Sequence, residues 1–436
     1  MSSAVATELP HAHRPGTIRA ALSYRNFRIL FIGSSLSNVG TWMQNFILPT
    51  YIDDRTHSAA LVGALYFAQL GPALILSIPA GALADRVNRT RLVLSMQVVM
   101  LGLSIALGLL AGADAPLWSL FAVQLAVGIA SAVQAPAFSA SFPMMVERPD
   151  LPGAVSLNSA QINGSRILGP TLAALLAATG MSLPVLFLAN SLTYLFFIVP
   201  LLFIALPQPQ RRTEVLRGLR GLNVGLTTAR NRGVVWRSLA TMCLFSIVCL
   251  PYIGLFPSVA RLNFGISSTS GTYKALYIVW GLGAFFGALA VGTWMANLDK
   301  RSLIRTSLGA FAVCLGVFAL LSDVAIAFPV AALLGFAYFS IATALASVLQ
   351  QNLADSERAT VMPLWFMAFG GSVPIGNLIG GPLIDQVGAR AVLLVGAAFA
   401  LVLAHVFDLR KLEEHHFLPE HHGGERFVPI RATRAF

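Results

Sequence analysis

Gly81-Ala82-Leu83-Ala84-Asp85-Arg86-Val87-Asn88-Arg89-Thr90-Arg91 is a charged knot set between two charge-free apolar runs. Moved along by 211 positions it recurs in degraded form at Gly292-Thr293-Trp294-Met295-Ala296-Asn297-Leu298-Asp299-Lys300-Arg301-Ser302. Gly81 then falls over Gly292, Arg89 over Lys300 and Leu92 over Leu303. A second mark, Gly169-Pro170, returns 212 positions on as Gly381-Pro382. Two marks with nearly one offset indicate an internally duplicated membrane protein, an arrangement that usually places a solute site between the halves.

Composition agrees. Of 436 residues 56% are hydrophobic and 11% charged, and mean hydropathy is +0.74. A chain that could not hide so much apolar surface in water belongs in lipid. A span takes about 20 mainly apolar residues. Runs of that order fall near 29–52, 58–84, 92–113, 115–146, 167–210, 238–260, 275–298, 306–322, 324–354, 359–384 and 391–404. The run 167–210 is too long for one helix. Gly180 and Pro184 split it, and its first half extends back to about Val155. The expected fold is therefore an all-α membrane protein of twelve transmembrane helices in two pseudo-symmetric six-helix bundles. The bundles cover 25–206 and 237–409, with an N-terminal segment 1–24, a linker 207–236 and a tail 410–436.

Arginine sets the expected orientation. With both termini inside, 24 of the 29 Lys and Arg residues fall in inner segments, while only Arg55, Arg261, Lys274 and Arg390 fall outside. That is the bias of inserted membrane proteins. The net charge of +11 then reflects topology and attraction to membrane lipids. Basic residues scattered over short loops speak against a nucleic-acid partner. Residues 1–24 hold no signal-peptide core, so the first apolar segment is a retained span. The expected location is a bacterial cell (inner) membrane, multi-pass, with both termini cytoplasmic, and the chain is expected to be a monomer. Cys243, Cys249 and Cys314 all fall in spans, so neither disulfides nor a metal site are expected. His415, His416, His421 and His422 suit a solvated, disordered tail better than a metal site. Gly281-x-Gly283-x-x-x-Gly287 reads as close helix packing. No phosphate-binding loop occurs, so no nucleotide or other cofactor is expected.

Ser34, Asn38, Thr41 and Asn45 are spaced 4, 3 and 4 apart and share one stripe of the first span, with Trp42 beside them. Lipid offers no hydrogen bonds, so the stripe faces protein or a water-filled path. Helix–helix glue is the competing reading. Arg166 lies about 11 residues into the fifth span, roughly 16 Å deep, where an ion must be paired or wet. Asn158, Gln161, Asn163 and Ser165 accompany it. It is either an anion-attracting group of the central cavity or a structural hub. Gln134, Asn377, Tyr252, Tyr338 and Trp365 complete the candidate path. Tyr273 and Tyr277 suit either an aromatic wall or interfacial anchors. No Asp or Glu occupies the middle of a span. If protons drive transport, Asp53, Asp54 or Asp385 must carry them from an outer vestibule. In the knot, Asn88 stands where a left-handed turn favours Gly or Asn. Asp85 and Arg89 suit an inner latch, although an ordinary positive-inside turn explains them too.

The segment from Gly81 to Arg89 resembles the loop between helices two and three of the major facilitator superfamily, departing from it at Asn88 and Thr90. Arg166-Ile167-Leu168-Gly169-Pro170 resembles the helix-five element of its antiporter members, with Ala173-Ala174 where a Gly pair is usual. Three further stretches resemble the bacterial branch of transmembrane secretion effectors, which includes enterobactin exporters. They are Tyr24-Arg25-Asn26-Phe27-Arg28 with Gly40-Thr41-Trp42-Met43-Gln44, Leu151-Pro152-Gly153-Ala154-Val155-Ser156-Leu157-Asn158, and Glu357-Arg358-Ala359-Thr360-Val361-Met362. The resemblance implies bundles rocking about a central cavity and exporting a small drug- or siderophore-like amphiphile, commonly driven by protons. Gly81, Asp85, Arg86, Arg89, Gly169, Pro170, Gly381 and Pro382 would serve gating. A lipid or lysolipid transporter, and a non-transporting scaffold or sensor docking on the Arg-rich linker and tail, remain as alternatives. No enzymatic activity is expected.

Overall fold

The computed structural model describes residues 14–208, 219–411, 414–418 and 426–430. The helices of the first half are α1 Ile18–Ser23, α2 Arg25–Thr56, α3 Ala59–Ala84, α4 Arg89–Gly112, α5 Leu117–Ser141, α6 Leu151–Ala178 and α7 Leu183–Phe203. A linker helix, α8 Leu219–Asn231, leads to α9 Gly233–Val248, α10 Pro251–Gly254, α11 Phe256–Phe264 and α12 Gly271–Gly292. Then come α13 Lys300–Leu320, α14 Val324–Gln351, α15 Asp355–Phe366, α16 Ser372–Val387 and α17 Ala389–Val406. A π-turn, Met367–Gly371, joins α15 to α16.

Among the described residues nine helical segments are long and apolar enough to cross a membrane. They match nine of the twelve expected runs. The other three runs fall on α2, on α6, and on α9 to α11. Polar residues dilute the first two. Pro251 and Pro257 break the third, because each opens a new helix where its missing N–H is not needed. Gly180, at φ +88°, ends α6 before Pro184 starts α7, which is the split expected of the long run.

The two knots share one construction. Asn88 is not in a left-handed turn as expected; at φ −66° and ψ 113° it caps α4, accepting from the Arg91 amide at 3.0 Å. The turn itself is carried by Arg86 and Val87 amides bonding back to the Leu83 carbonyl. The equivalent residue in the second half, Asp299, caps α13 by accepting from the amides of Arg301 and Ser302 at 3.2 and 3.0 Å. The base after each cap folds back onto the carbonyl end of the preceding helix. Arg89 Nε donates to the Ala84 carbonyl at 3.3 Å, and Lys300 Nζ reaches the Val291 carbonyl of α12 at 3.4 Å and those of Met295 and Ala296 in the turn after it. Terminal amides of one helix and terminal carbonyls of another are thus satisfied together.

The chain divides into two compact units. One takes in residues of Met1–Asn45 and Pro79–Thr213, the other residues of Phe46–Ile78 and Glu214–Phe436. The second half of α2 and most of α3 therefore pack with the C-terminal helices. Within that unit α12 and α14 approach backbone to backbone. A Cβ at Gly283 or Gly287 would strike the carbonyls of Ala332 or Phe336, and one at Gly335 that of Trp280. This is the close packing read from the glycine spacing. In the tail, strands β1 Glu414–Leu418 and β2 Arg426–Ile430 pair antiparallel, with Phe417 opposite Phe427. His421 and His422 lie outside the described residues.

Capping predicts that Asp299→Ala lowers stability by about 1 kcal/mol while Asp299→Asn leaves it nearly unchanged, because asparagine caps equally well. Thermal unfolding of the purified variants in detergent measures both.

Candidate functional site

In the first unit the polar faces of α2 and α6 meet. The Ser34 hydroxyl stands 3.3 Å from Gln161 Oε1, and both residues are buried. One and a half turns further along α6, the Arg166 guanidinium lies over the Trp42 ring at 5.1 Å, an arrangement that holds a planar cation against an aromatic face. Gly169 makes this approach possible, since a Cβ there would strike Trp42 and the Met43 amide. Asn38, Thr41, Asn45 and Asn158 are half-buried. Ile32 and Leu36, 52% and 41% exposed, mark the opposite side of α2. The side chain of Asn163 lies outside the described residues.

Other candidates of this unit are engaged with neighbours. Thr41 Oγ1 donates to the Ser37 carbonyl at 3.0 Å and stands 3.5 Å from the Tyr194 hydroxyl. Gln134 Oε1 accepts from Gln97 Nε2 at 2.9 Å, joining α5 to α4. Asp85 pairs with Arg89 at 3.3 Å inside one turn of the knot. Arg86 is exposed, and Gly81 has open space around it.

Sequence reading missed the most buried polar group of this unit. Asn190 Nδ2 donates to Gln44 Oε1 at 2.7 Å and to the Ser104 hydroxyl at 3.2 Å. Ser104 has Gln44 Oε1 and the Phe187 carbonyl within reach of its own proton. The group ties α2, α4 and α7 together. Its signal was Gln44, which ends the Gly40–Gln44 stretch but lies off the stripe. Also missed was Asp150. Its carboxylate accepts from the Gly16 amide and the Tyr24 hydroxyl, each at 2.9 Å. It thereby fastens the start of the described chain beside α6 and brings two of the family-like stretches together.

In the second unit the aromatic candidates form one wall. Trp280 Nε1 donates to the Tyr252 hydroxyl at 3.1 Å and stacks on Tyr338 with 16° between the rings. Phe369 stands between Tyr338 and Trp365, 6.4 and 6.3 Å from their rings. Tyr273 and Tyr277 pack on Phe46 and Phe256. Both are buried, so they belong to the wall and are not interfacial anchors. Asn377 is buried too. Its Nδ2 donates to the Val373 carbonyl at 3.0 Å, and its amide lies against Gly254.

The three acidic candidates gather where α2 ends and α3 begins. Asp53 is 0% exposed. Its carboxylate accepts from Ser258 Oγ at 2.6 Å and from Nε and an Nη of Arg261 at 3.2 and 3.1 Å. Asp54 is exposed near Ser267. Asp385, also exposed, accepts from the Ser58 hydroxyl and the amides of Ala59 and Ala60 at 2.8, 2.8 and 2.9 Å. Pro382 and Gly381 precede it on α16, and Gly381 is pressed against Ala59 and Ala60.

Helices of this length and apolarity define a multi-pass membrane protein. The chain belongs to the transmembrane secretion effectors of the major facilitator superfamily, whose family model matches residues 17–431. It is 23% identical over 413 residues to macrolide efflux protein A of Streptococcus pyogenes, covering 89% of this chain and 99% of that one. It is 27% identical over 404 residues to the enterobactin exporter of Shigella boydii, covering 89% and 92%. In fold it is similar to a point mutant of the nucleoside transporter NupG. That likeness has a TM-score of 0.69 at 14% identity and covers 88% of this chain and 99% of that one.

Tyr24 gives a test of the Asp150 anchor. Burial, and then the hydrogen bond to the Asp150 anion, push its phenol from 10.0 up to about 12. The folded state therefore keeps a proton that the unfolded chain gives up near pH 10. The stability this contributes is complete below pH 10 and is lost as pH rises toward 12. Melting temperature against pH should fall over that window, and Tyr24→Phe should remove that part of the fall.

Proposed function

We propose that this chain is a secondary exporter that carries a small amphiphilic solute out of a bacterial cell by alternating access. On this reading both termini lie on the cytoplasmic side of the inner membrane, and the chain works as a monomer. The observation that supports this best is the Arg166–Trp42 pair, with Ser34 and Gln161 beside it, on helices that are mostly apolar. An amphiphile needs both surfaces: aromatic and aliphatic walls for its body, and a few fixed polar groups for its head. Within the first unit Asn38, Asn45 and Asn158 extend the polar candidates, and within the second Tyr252, Tyr338 and Trp365 are the aromatic ones. Protons are the proposed counter-ion, exchanged at the acidic cluster of Asp53, Asp54 and Asp385.

The names of the relatives supply the first solutes to try. Purified protein in proteoliposomes should move a macrolide or a siderophore against its gradient when a pH difference is imposed. Flux of fluorescent lysolipid alone would replace this reading with lipid transport, and no flux of any of the three would replace it with a scaffold.

Two variants examine the charge. If Arg166 meets an anionic solute group, Arg166→Gln should lose anionic solutes at least tenfold more than neutral ones, a gap of about 1.4 kcal/mol. Arg166→Lys should recover only part, because an ammonium lacks the planar fork. Equal losses for charged and neutral solutes, measured by binding to monodisperse protein, would make Arg166 structural. At the other end of the path, Asp85→Asn should cut flux without changing expression if the Asp85–Arg89 turn is a latch. Unchanged flux would leave it a topological signal.

A further inference from the structure

Within the first unit, α2 and α7 touch over much of their length and part at one end. Gln44 Oε1 accepts from Asn190 Nδ2 at 2.7 Å, and a Cβ at Gly40 would strike the Asn190 and Thr193 side chains. Two turns further, a Cβ at Gly33 would strike the Phe196 carbonyl. That carbonyl is left out of the helix ladder, because Pro200 has no N–H to give it. Beyond Gly33 bulkier residues stand between the helices. Leu30, Phe197, Leu201 and Ile204 belong to the buried core there, and a cavity of about 430 Å³ opens beside them. Ile29, Val199, Pro200, Phe203 and Ile204 form its walls, with Arg25 and Asn26 at its mouth and no acidic residue in its lining. It faces away from the protein: Val199 is 50% and Phe203 84% exposed. Arg25 and Asn26 are exposed as well. Arg28, one turn on, turns back to the Leu22 carbonyl at 3.1 Å. The Arg25 guanidinium has no such partner among the described residues.

We infer that this cavity is a binding site for one anionic phospholipid, taken from the leaflet that meets the start of α2. Its lining divides as such a lipid does. At the mouth, a guanidinium fork matches two phosphate oxygens with parallel hydrogen bonds, and the Asn26 amide supplies a further donor. Behind it the walls are aliphatic and aromatic. From Arg25 to Gly33 they run eight residues, about 12 Å at the helical rise, against roughly 15 Å for half the hydrocarbon core. That suits one chain of one leaflet. A zwitterionic head would bring a second cation to a mouth that holds no acid for it, so the net-negative lipid is favoured. The seam from Gln44 to Gly33 fixes the two helices before any lipid arrives, so binding orders little of the protein. Arg25 and Asn26 come from the Tyr24–Arg28 stretch, which takes no part in the Arg166 site.

The test uses purified protein in a neutral detergent, titrated with phosphatidylglycerol or with phosphatidylcholine, and counts bound lipid by native mass spectrometry. It involves neither solute nor flux, so the lipid site and the exporter reading can fail separately. Wild type should retain one phosphatidylglycerol at concentrations where phosphatidylcholine is lost. Arg25→Gln should weaken that binding at least fivefold. Arg25→Lys should weaken it less, since an ammonium keeps the attraction and loses only the fork. Arg19→Gln, which removes an exposed arginine of α1 outside the cavity, should change it little. Val199→Trp should exclude the lipid by filling its channel, while an unaltered melting temperature of the lipid-free protein shows the α2–α7 seam intact. Equal losses in Arg25→Gln and Arg19→Gln would overturn the site, by showing diffuse attraction to a basic surface. Equal retention of the two lipids would overturn it as a site for an anionic head. Displacement of phosphatidylglycerol by inorganic phosphate at the same concentration would assign Arg25 to a free anion and overturn it too. Wild type that retains no lipid would leave the cavity to the chain's own segments and overturn it outright.

Discussion

A helix in lipid can satisfy its own backbone except at its ends, where four amides and four carbonyls are left over. In a chain with so few charges, those ends decide where the charges go. Asn88 and Asp299 serve amides, Arg89 and Lys300 serve carbonyls, and Asp385 serves the amides of a helix it does not belong to. The duplicated knot is thus a repeated solution to one problem of backbone chemistry. Only the cap (Asn88, Asp299) and the base after it (Arg89, Lys300) share a role in the two copies, whereas Ala296 stands opposite Asp85.

The same economy appears where each half begins. Asp150, just before α6, fastens the segment that leads into α2. Glu357, in the first turn of α15, pairs with Arg232 at 2.7 Å and so fastens the segment that leads into α9. Arg232 also donates to the Asn352 carbonyl at 2.9 Å. A single carboxylate ties the approach to the first span of each half to the start of its fifth. Two of the sequence stretches that mark the family contain or adjoin these acids, so part of their physical content is anchorage.

Much of this was legible in the sequence because it is local. Span positions follow from charge-free runs, the Gly180–Pro184 break from backbone chemistry, and the α12–α14 contact from glycine spacing. What escaped depends on pairs far apart in the chain. Arg261 stood only as an exception to the arginine bias and Asp53 only as an acid near an outer end; that they pair, 208 positions apart, has no local signal. Gln44 was passed over because it lies off the stripe, and only Ser104 and Asn190 give it meaning. Asn88 was assigned the right importance for the wrong reason, since asparagine favours both left-handed turns and helix caps. That residues 46–78 pack with the second half has no local signal at all.

The π-turn at Met367–Gly371 has a geometric consequence for the last third of the chain. One such turn holds an extra residue, and a residue is worth about 100° of rotation in an α-helix. The face of α16 is therefore out of phase with that of α15. Trp365 can belong to the aromatic wall while Gly381 and Asp385, on the same continuous span, are turned toward α3. A single span thus faces two different neighbours on either side of the junction. The phase slip is a mechanical register mark, and a chain one residue shorter there would present the wrong side of α16 to the start of α3.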